Sequence, residues 1–517
     1  MTKEEICILI SVIVYMAFVL VIGFRYSNKN KSTDDFYLGG RKLSPIVTAM
    51  SAEASDMSGW LLMGLPGVAL LTGLAEAVWT AIGLAIGTYV NWLIVAKRIR
   101  NYSHKTESTT IPEFFANRFR DKKNMLMIAA AVIIIVFFVP YTASGFKACG
   151  TLFSTLFGLD YHVAMLISAG IIVLYTAVGG FLAASVTDFI QSIVMSVALV
   201  AIIIFGIISA GGIDAVIANA GKFGDYVSLA STYNVVTGKT SPYGFLTIVS
   251  TLAWGLGYFG MPHILLRFMA IDSPEKLKIS RRIGTIWVVI AMGIAIFIGI
   301  VGYGMIANGS LGNFFDSAKP EEASAVSETI IIKIATLLSE NGVFFALLAG
   351  VVMAGIFAST MSTSDSQLLA AASSVSENIL RPLFFKNMSK KTSMIVARVT
   401  VVCISIVSVF LAWNPNSSVF RIVSFAWAGF GASFGPIVLA SLFWKRTNKW
   451  GALAGMITGT VTVFIWKYLI RPLGGAFDIY ELLPAFILSS IAIVAVSLLT
   501  KAPEKEITDE FESVKKI

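Results

Sequence analysis

Charged residues, cysteines and histidines are all scarce in this chain of 517 residues. Charged residues make up 13% of the sequence, whereas soluble domains carry about 25%. The three cysteines, Cys7, Cys149 and Cys403, lie within or beside apolar runs and have neither a disulfide framework nor the paired spacing of a metal site. The three histidines are scattered. These shortages argue against a soluble domain, a disulfide scaffold and a metalloenzyme.

Other features of common functional classes are also missing. The sequence contains no phosphate-binding loop, so we do not expect ATP to drive its function. The first apolar run lacks a basic leading segment and a small-residue cleavage site, and we predict a retained span rather than a signal peptide. The net charge of +9 comes from basic residues in short connections between apolar runs. That distribution predicts no nucleic-acid partner.

Long apolar runs dominate what is present, since 56% of the residues are hydrophobic. Many runs exceed the ~20 residues that span a bilayer, which predicts an all-α polytopic membrane protein. We expect about 13 transmembrane helices, at 6–24, 45–70, 74–96, 125–157, 162–182, 188–210, 244–269, 285–308, 340–374, 394–413, 420–443, 451–470 and 483–500. Residues 1–500 then form one transmembrane domain, and 501–517 form a charged tail that we expect to be mobile.

Basic residues cluster in every second connection, which predicts the orientation by the positive-inside rule. The clusters are Arg25, Lys29, Lys31, Arg41 and Lys42; Lys97 to Lys123; Lys276 to Arg282; Arg381 to Lys391; Lys445 to Lys449; and the tail with Lys501, Lys505, Lys515 and Lys516. With thirteen spans, this pattern puts the N-terminus outside and the C-terminus in the cytoplasm.

The stretch Ser51–Gly67 interrupts the second span. It contains Glu53 and Asp56, followed by Gly59, Gly64 and Pro66. A charge at the bilayer centre costs at least ~2.5–3.5 kcal/mol, and a broken helix exposes carbonyl groups that must line a cavity or bind something. The pattern therefore favours a small-cation site in a transporter. The alternative is a kinked helix in which Asp56 makes a structural hydrogen bond.

A second interrupted span follows at Trp254–His263, with three glycines and one proline. It comes five spans after the first, and such paired interruptions are the pattern of inverted repeats around a transport site. We expect repeats at 45–210 and 244–443, with two additional helices at 451–500. The alternative is two unrelated kinks.

The ninth span adds a run of hydroxyl residues at Ser359–Ser366. Ser362, Asp365 and Ser366 share one helix face. Neutral oxygen atoms suit a hard monovalent cation. The alternative is that the hydroxyls only allow close helix packing.

Several motifs together carry a resemblance to a known family: Phe36–Arg41, Thr48–Ser51, Ala54–Trp60, Tyr141–Gly145, Tyr175–Gly180, Trp254–Pro262 and Met361–Thr363. They cover nearly the whole chain. The sequence resembles the sodium:solute symporter family, in particular its bacterial sodium/proline symporters. The resemblance implies a LeuT-type 5+5 inverted-repeat fold.

The resemblance also implies site residues. It implies that sodium is held by backbone oxygens of Ala54, Met57 and Ser359 and by hydroxyls of Ser362 and Thr363, with Asp56 as the linked carboxylate. It implies that the substrate pocket is lined by Ser58, Gly59, Trp60, Tyr141, Trp254, Tyr258 and Pro262. Aromatic faces at such positions pack on an apolar ring and attract an ammonium group.

The function that the resemblance implies is import of L-proline across the plasma membrane, coupled to sodium. Sodium is the co-transported ion, the bilayer is the surrounding partner, and no obligate protein partner is expected. Related proteins carry pantothenate, other amino acids, sugars or sialic acid, so another small solute is the main alternative. A channel, a membrane enzyme and a solute sensor are the rival classes; the sensor would usually carry a soluble signalling domain.

The sequence leaves undecided whether a second cation binds. Some family members hold a second sodium between the ninth span and an acidic residue early in the sixth, which corresponds to Asp188. The facing residues here are Ser362, Asp365 and Ser366. Asp365 departs from the expected small hydroxyl residue. Either these residues hold a second cation, or Asp365 is a water-exposed group on the exit path or a structural one.

Overall fold

Long apolar helices make up most of the fold, as predicted. The computed structural model describes residues 2–27, 33–316, 319–385 and 388–515; the predicted loop and tail residues Lys29, Lys31, Lys386 and Lys516 lie outside these ranges. Among the described residues, ten helices are long and apolar enough to cross a bilayer, and two bent helix pairs bring the number to twelve.

The first half of the chain runs from the N-terminus to a short hairpin. Its elements are α1 (Lys3–Ser27), α2 (Thr33–Leu38), α3 (Pro45–Asp56), α4 (Leu65–Thr72), α5 (Leu74–Val90), α6 (Ala96–Lys105), α7 (Ile111–Arg118), α8 (Met125–Phe157), α9 (Tyr161–Ser209), α10 (Ile213–Gly221), β1 (Ser231–Asn234) and β2 (Lys239–Pro242). β1 and β2 pair antiparallel, with Ser231 opposite Pro242. A π-helical segment, Trp60–Gly64, leads directly into α4, and another, Asn91–Val95, joins α5 to α6.

The second half continues with α11 (Phe245–Leu252), α12 (Pro262–Ala270), α13 (Leu277–Ala307), α14 (Ala323–Ser327), α15 (Ile330–Ser339), α16 (Val343–Val375), α17 (Arg381–Leu383), α18 (Lys390–Leu411), α19 (Val419–Phe443), α20 (Lys449–Ile465), α21 (Leu482–Leu499) and α22 (Lys505–Lys515). A 3₁₀ segment, Ala253–Gly260, joins α11 to the residue before α12. Further π and 3₁₀ segments, Trp466–Ile470 and Arg471–Leu473, extend α20.

Helix α9 contains a break that accounts for the last predicted span. Gly180 has φ 68° and ψ −174°, which is not helical. It divides α9 into residues 161–179 and 181–209, and both pieces reach the ~17–25 residues that a span needs. Counted as two spans, α9 brings the total among the described residues to the thirteen that the apolar runs predict.

The centre of the molecule is α16. It is buried along most of its length and packs against α1, α3, α8 and α9. Its glycines permit this crowding: a Cβ on Gly350 would lie 2.5 Å from Cβ of Ser11, and one on Gly355 would lie 2.7 Å from Cβ of Ala198. Small residues of this kind let membrane helices approach closely. The Ser- and Gly-rich run at 340–374 is therefore a continuous core helix.

The tail differs from the mobile segment that its charge predicted. Residues 505–515 form α22, whose apolar side chains Ile507, Phe511 and Val514 are buried. Arg120 lies 2.6 Å from Glu510 in an ion pair. The overall composition of the tail is charged, but its apolar residues recur at helical spacing and cover one face. The tail is therefore an amphipathic helix, which composition alone does not reveal.

Candidate functional site

The first predicted break is present in the second span. α3 ends at Asp56, because Met57 takes φ −77° and ψ 70°, and the chain resumes as a helix at Trp60 after a bend of 60°. The hydroxyl of Ser58 accepts a hydrogen bond of 3.3 Å from the Trp60 amide. Gly59 lets α8 come near, since a Cβ there would lie 3.0 Å from Cβ of Ala148. The break thus leaves the end of α3 buried between helices.

Four oxygen atoms meet at the end of α3. The hydroxyl of Ser362 lies 2.8 Å from the Ala54 carbonyl oxygen and 3.1 Å from that of Ser359. The hydroxyl of Thr363 lies 3.5 Å from the Ala54 carbonyl oxygen and 3.1 Å from that of Ser359. Met57, the fifth predicted ligand residue, is fully buried at the break itself. The cluster is neutral and rich in oxygen, which is the donor set that a hard monovalent cation prefers.

Asp56, two residues after Ala54, adds a buried carboxylate at the end of α3. Its Oδ2 atom accepts a hydrogen bond of 2.6 Å from the hydroxyl of Tyr258. Its Oδ1 atom is buried and has no hydrogen-bond partner among the described residues. Its backbone carbonyl accepts from the indole of Trp60 at 3.0 Å and from the hydroxyl of Tyr141 at 3.4 Å. A buried carboxylate oxygen without a donor fits a nearby cation better than a purely structural hydrogen bond.

The described residues contain no group of three or more His, Cys, Asp and Glu side chains arranged to hold a metal ion. A divalent or transition-metal site of that composition is therefore not part of the described structure. The cluster of backbone carbonyls and hydroxyls is the alternative donor set, and it suits an alkali ion.

The second predicted break is also present. The 3₁₀ segment ends at Gly260, Met261 is extended with φ −76° and ψ 108°, and Pro262 begins α12. The two helical parts meet at 46°. Gly257 is required here, because a Cβ would lie 1.9 Å from Nε1 of Trp427. That nitrogen donates a 2.8 Å hydrogen bond to the carbonyl of Trp254, which the break has freed.

Aromatic rings from both breaks form one wall. The Trp60 and Trp254 rings lie 6.4 Å apart, and the Tyr258 ring meets Trp427 edge-on at 5.1 Å. Tyr480 stacks on Trp254 at 5.1 Å. Phe420, Trp427 and Tyr480 were missed by sequence reasoning, because spacing alone does not show which distant helix faces the pocket.

A cavity of about 600 Å³ reaches this wall at Trp254. Phe420 and Tyr480 line it beside Trp254, and Glu76 and Arg421 contribute charged groups. The predicted substrate residues Trp60, Tyr141 and Tyr258 lie deeper and are buried. The cavity therefore provides an approach from one face of the protein to the aromatic wall.

The residues considered for a second cation do come together, but around an arginine. Nη2 of Arg267 lies 3.2 Å from Oδ2 of Asp188 and 2.5 Å from Oγ of Ser366. Asp365 is fully buried, which does not fit the alternative of a water-exposed group on the exit path. Arg267 was overlooked in the sequence, although a lone charge within an apolar span is a recognisable signal.

Known proteins match this chain over most of its length. The model of the sodium:solute symporter family matches residues 36–459. The chain is 42% identical over 495 residues to the high-affinity proline transporter PutP of Bacillus subtilis, covering 95% of this chain and 98% of that one. It is 40% identical over 508 residues to the sodium/proline symporter of Escherichia coli, covering 97% and 95%.

Solved structures give the fold. A Na⁺-coupled sialic acid symporter in a substrate-bound outward-open state is similar with a TM-score of 0.77 and 18% identity, covering 96% of this chain and 99% of that one. Mhp1, a nucleobase-cation-symport-1 family transporter, is similar with a TM-score of 0.55 and 14% identity, covering 94% and 99%. The chain is a multi-pass membrane transporter of LeuT-type fold rather than an enzyme, and it belongs to the sodium:solute symporter family.

Proposed function

We propose that this chain is a secondary symporter that imports L-proline across the plasma membrane together with sodium, by alternating access. The observation that carries the proposal is the meeting of the Ala54 carbonyl with the hydroxyls of Ser362 and Thr363 at the broken end of α3. Neither a channel nor a sensor requires such a cluster beside an aromatic pocket.

Sodium is the driving ion in this proposal. The backbone oxygens of Ala54, Met57 and Ser359 and the hydroxyls of Ser362 and Thr363 form its binding site, with Asp56 as the nearby negative charge. The supporting facts are the distances of 2.8–3.5 Å from these hydroxyls to the Ala54 carbonyl oxygen and the unpartnered Oδ1 of Asp56. Each sodium ion entering along a potential of 100 mV releases about 2.3 kcal/mol.

Proline is the proposed substrate. It is a small zwitterion with an apolar ring, and the faces of Trp254, Tyr258 and Trp60 offer an apolar wall of matching chemistry. Its secondary ammonium is attracted to tryptophan faces. Ser58, Gly59, Tyr141 and Pro262 complete the proposed pocket. Relatives named as proline transporters at about 40% identity support the same choice.

Coupling follows from the position of the two sites. Sodium at the end of α3 holds Asp56 in place. The carboxylate of Asp56 in turn accepts a hydrogen bond from the hydroxyl of Tyr258 on the other broken helix. Sodium binding therefore orders one side of the proline pocket. By linkage, proline must raise the affinity for sodium by the same factor that sodium raises the affinity for proline.

The proposed orientation has the N-terminus outside and the C-terminus with α22 in the cytoplasm, as the basic clusters favour. Residues 45–210 and 244–443 are the proposed inverted repeats, with 451–500 as two additional helices. Single cysteines placed in the connections test the orientation: those at 97–123 should react with an impermeant maleimide only after permeabilisation. Reaction in intact cells would reverse it.

The decisive experiment is uptake of labelled proline by the purified protein in proteoliposomes. Uptake should exceed equilibrium only under an inward sodium gradient and should collapse when a sodium ionophore dissipates that gradient. Gradient-driven uptake of another small solute but not of proline would keep sodium symport and reject the substrate. Passive flux that ignores the gradient would reject coupling.

A further inference from the structure

Four lysines surround a cavity of about 370 Å³ at one end of the helix bundle: Lys122, Lys123, Lys449 and Lys501. Among the described residues that line this cavity, Glu504 is the single acidic one. Within the part of the chain that the structure describes, none of the four lysines forms an ion pair. The positive charge of the cavity is therefore left largely unbalanced by the protein, and it favours a bound anion.

Arg120 also lines the cavity, but its guanidinium is engaged by the tail helix. Its Nη2 atom lies 2.6 Å from Glu510 and 3.4 Å from Glu506, both on α22. The tail thus neutralises the arginine and leaves the lysines unpaired. An anion among the lysines would be held by segments that precede α8, begin α20 and follow α21.

The cavity lies at the level of the bilayer surface, because three membrane-spanning helices begin or end beside it. α8 begins two residues after Lys123, α20 begins at Lys449, and α21 ends two residues before Lys501. The side-chain nitrogen of Asn448 holds the last two together, since it donates to the hydroxyl of Thr500 at 2.7 Å and to the carbonyl of Lys501 at 2.8 Å. The lysines therefore occupy the depth of the lipid headgroups.

An apolar helix face runs from the cavity into the membrane. Trp450 lines the cavity and is 45% exposed, and Nζ of Lys449 lies 5.1 Å from the centre of its ring. Ile457 and Val461 follow at seven and eleven residues, so they share this face of α20, and both are exposed. Tryptophan is typical of the boundary between headgroups and acyl chains. A molecule with an anionic head and apolar chains can use both the lysines and this face.

We propose that the cavity binds the headgroup of an anionic phospholipid, with its phosphate among the four lysines and its acyl chains along the exposed face of α20. Basic pockets between the ends of membrane helices are suited to such headgroups. None of the residues of the proposed sodium and proline sites lines this cavity. The inference therefore goes beyond the proposed transport function and does not depend on which solute the chain carries.

Native mass spectrometry of the purified full chain tests the proposal. The protein is titrated with phosphatidylglycerol and, separately, with phosphatidylcholine of identical acyl chains. One phosphatidylglycerol molecule per chain should be retained with high affinity, and phosphatidylcholine should not. The triple variant K123Q/K449Q/K501Q should weaken this binding by about 100-fold, because each lysine near an anionic surface contributes a factor of about five.

The matched control is K42Q/K278Q/K391Q. It removes three exposed lysines from other basic connections on the same predicted membrane face, and none of them lines the cavity. Its affinity for phosphatidylglycerol should equal that of the unmodified chain. Equal weakening in both triple variants would indicate diffuse attraction to the protein surface and would overturn the proposed site. Equal affinity of the unmodified chain for the two lipids would also overturn it, and that comparison requires no variant.

Glycerol phosphate, which has the same anionic group without acyl chains, distinguishes the lipid from a soluble anion. It should not displace phosphatidylglycerol at the concentration at which phosphatidylglycerol itself competes. Trp450→Ala keeps every lysine and should weaken lipid binding, because it removes the apolar contact beside the cavity. Displacement by glycerol phosphate at that concentration would assign the cavity to a soluble anion, and undiminished lipid binding in Trp450→Ala would reject the path along α20; either result overturns the proposal.

Discussion

The hydroxyl of Tyr258 donates a 2.6 Å hydrogen bond to Asp56, and this contact joins the two broken helices. Asp56 ends α3 beside the proposed sodium ligands. The Tyr258 ring meets Trp427 at 5.1 Å in the aromatic wall. One side chain therefore contacts the proposed proline pocket with its ring and the proposed sodium site with its hydroxyl.

This double role predicts a separation of effects. Tyr258→Phe keeps the ring but removes the donor, so it should raise the sodium concentration for half-maximal uptake by about 5- to 150-fold, the ~1–3 kcal/mol of an unsatisfied buried acceptor. Trp254→Ala removes wall surface and no donor to Asp56, so it should weaken proline binding more than sodium binding. Sodium and proline titrations of uptake measure both quantities.

Tyr258→Ala is the informative third variant, since it removes ring and hydroxyl together. It should show both losses. Equal losses of sodium and proline affinity in all three variants would instead point to collapse of the second broken helix, and the division of roles would be wrong.

Asp56→Ala should abolish sodium-driven uptake while the protein still inserts, because the variant removes the negative charge beside the oxygen cluster. Glu53→Gln is the comparison on the same helix: its Oε1 accepts from the indole of Trp92 at 2.8 Å and the hydroxyl of Thr88 at 3.2 Å, while its Oε2, like Oδ1 of Asp56, has no partner among the described residues. Normal sodium dependence in Glu53→Gln would assign the effect to Asp56 alone. Uptake at graded sodium concentrations is the measurement. Wild-type sodium dependence in Asp56→Ala would remove Asp56 from the site.

Ser362→Ala and Thr363→Ala should each raise the sodium requirement with a smaller effect on maximal rate. Each variant deletes one oxygen of the cluster, a loss worth about 1–3 kcal/mol or about 5- to 150-fold in affinity. Ser374→Ala provides the control, because its hydroxyl donates to the Ala370 carbonyl at 2.9 Å within the same helix. If both cluster variants kept the wild-type sodium curve, the site would have to lie elsewhere.

The sequence indicates the fold well because apolar length and helix interruption are local properties. Thirteen runs, the breaks at Asp56 and Gly260, and the hydroxyl face of α16 can all be found from neighbouring residues. The meeting of Ala54 with Ser362 joins residues 308 positions apart. It was expected from family resemblance, since periodicity alone does not show which helices face each other.

Arg267 illustrates the limit of predicting a site from the sequence alone. The carboxylates and hydroxyls that stand out in the sequence are Asp188, Asp365 and Ser366, but their charge balance depends on a residue from a third helix, α12. The tail shows a different limit. Its composition favours mobility, whereas the spacing of Ile507, Phe511 and Val514 favours a docked helix, and tertiary contacts decided between them.

The docking of α22 gives the last prediction. The Arg118 guanidinium is fully buried and lies 5.1 Å from the ring of Phe511, with the rings of Phe119 and Tyr102 at 4.9 and 5.3 Å. Phe511→Ala removes the ring that the tail contributes, at a cost of about 3–5 kcal/mol for a buried aromatic side chain. That loss is large for a helix of 11 residues, because a helix of this length is marginal in water without its packing surface.

The tail of the Phe511→Ala variant should therefore become sensitive to protease added to inside-out vesicles. Asp509→Ala, at an exposed position on α22, should leave digestion unchanged. Equal digestion of the Phe511→Ala variant and the unmodified protein would show that polar contacts, such as the ion pairs of Arg120 with Glu510 and of Lys445 with Glu512, hold the tail without the aromatic contact.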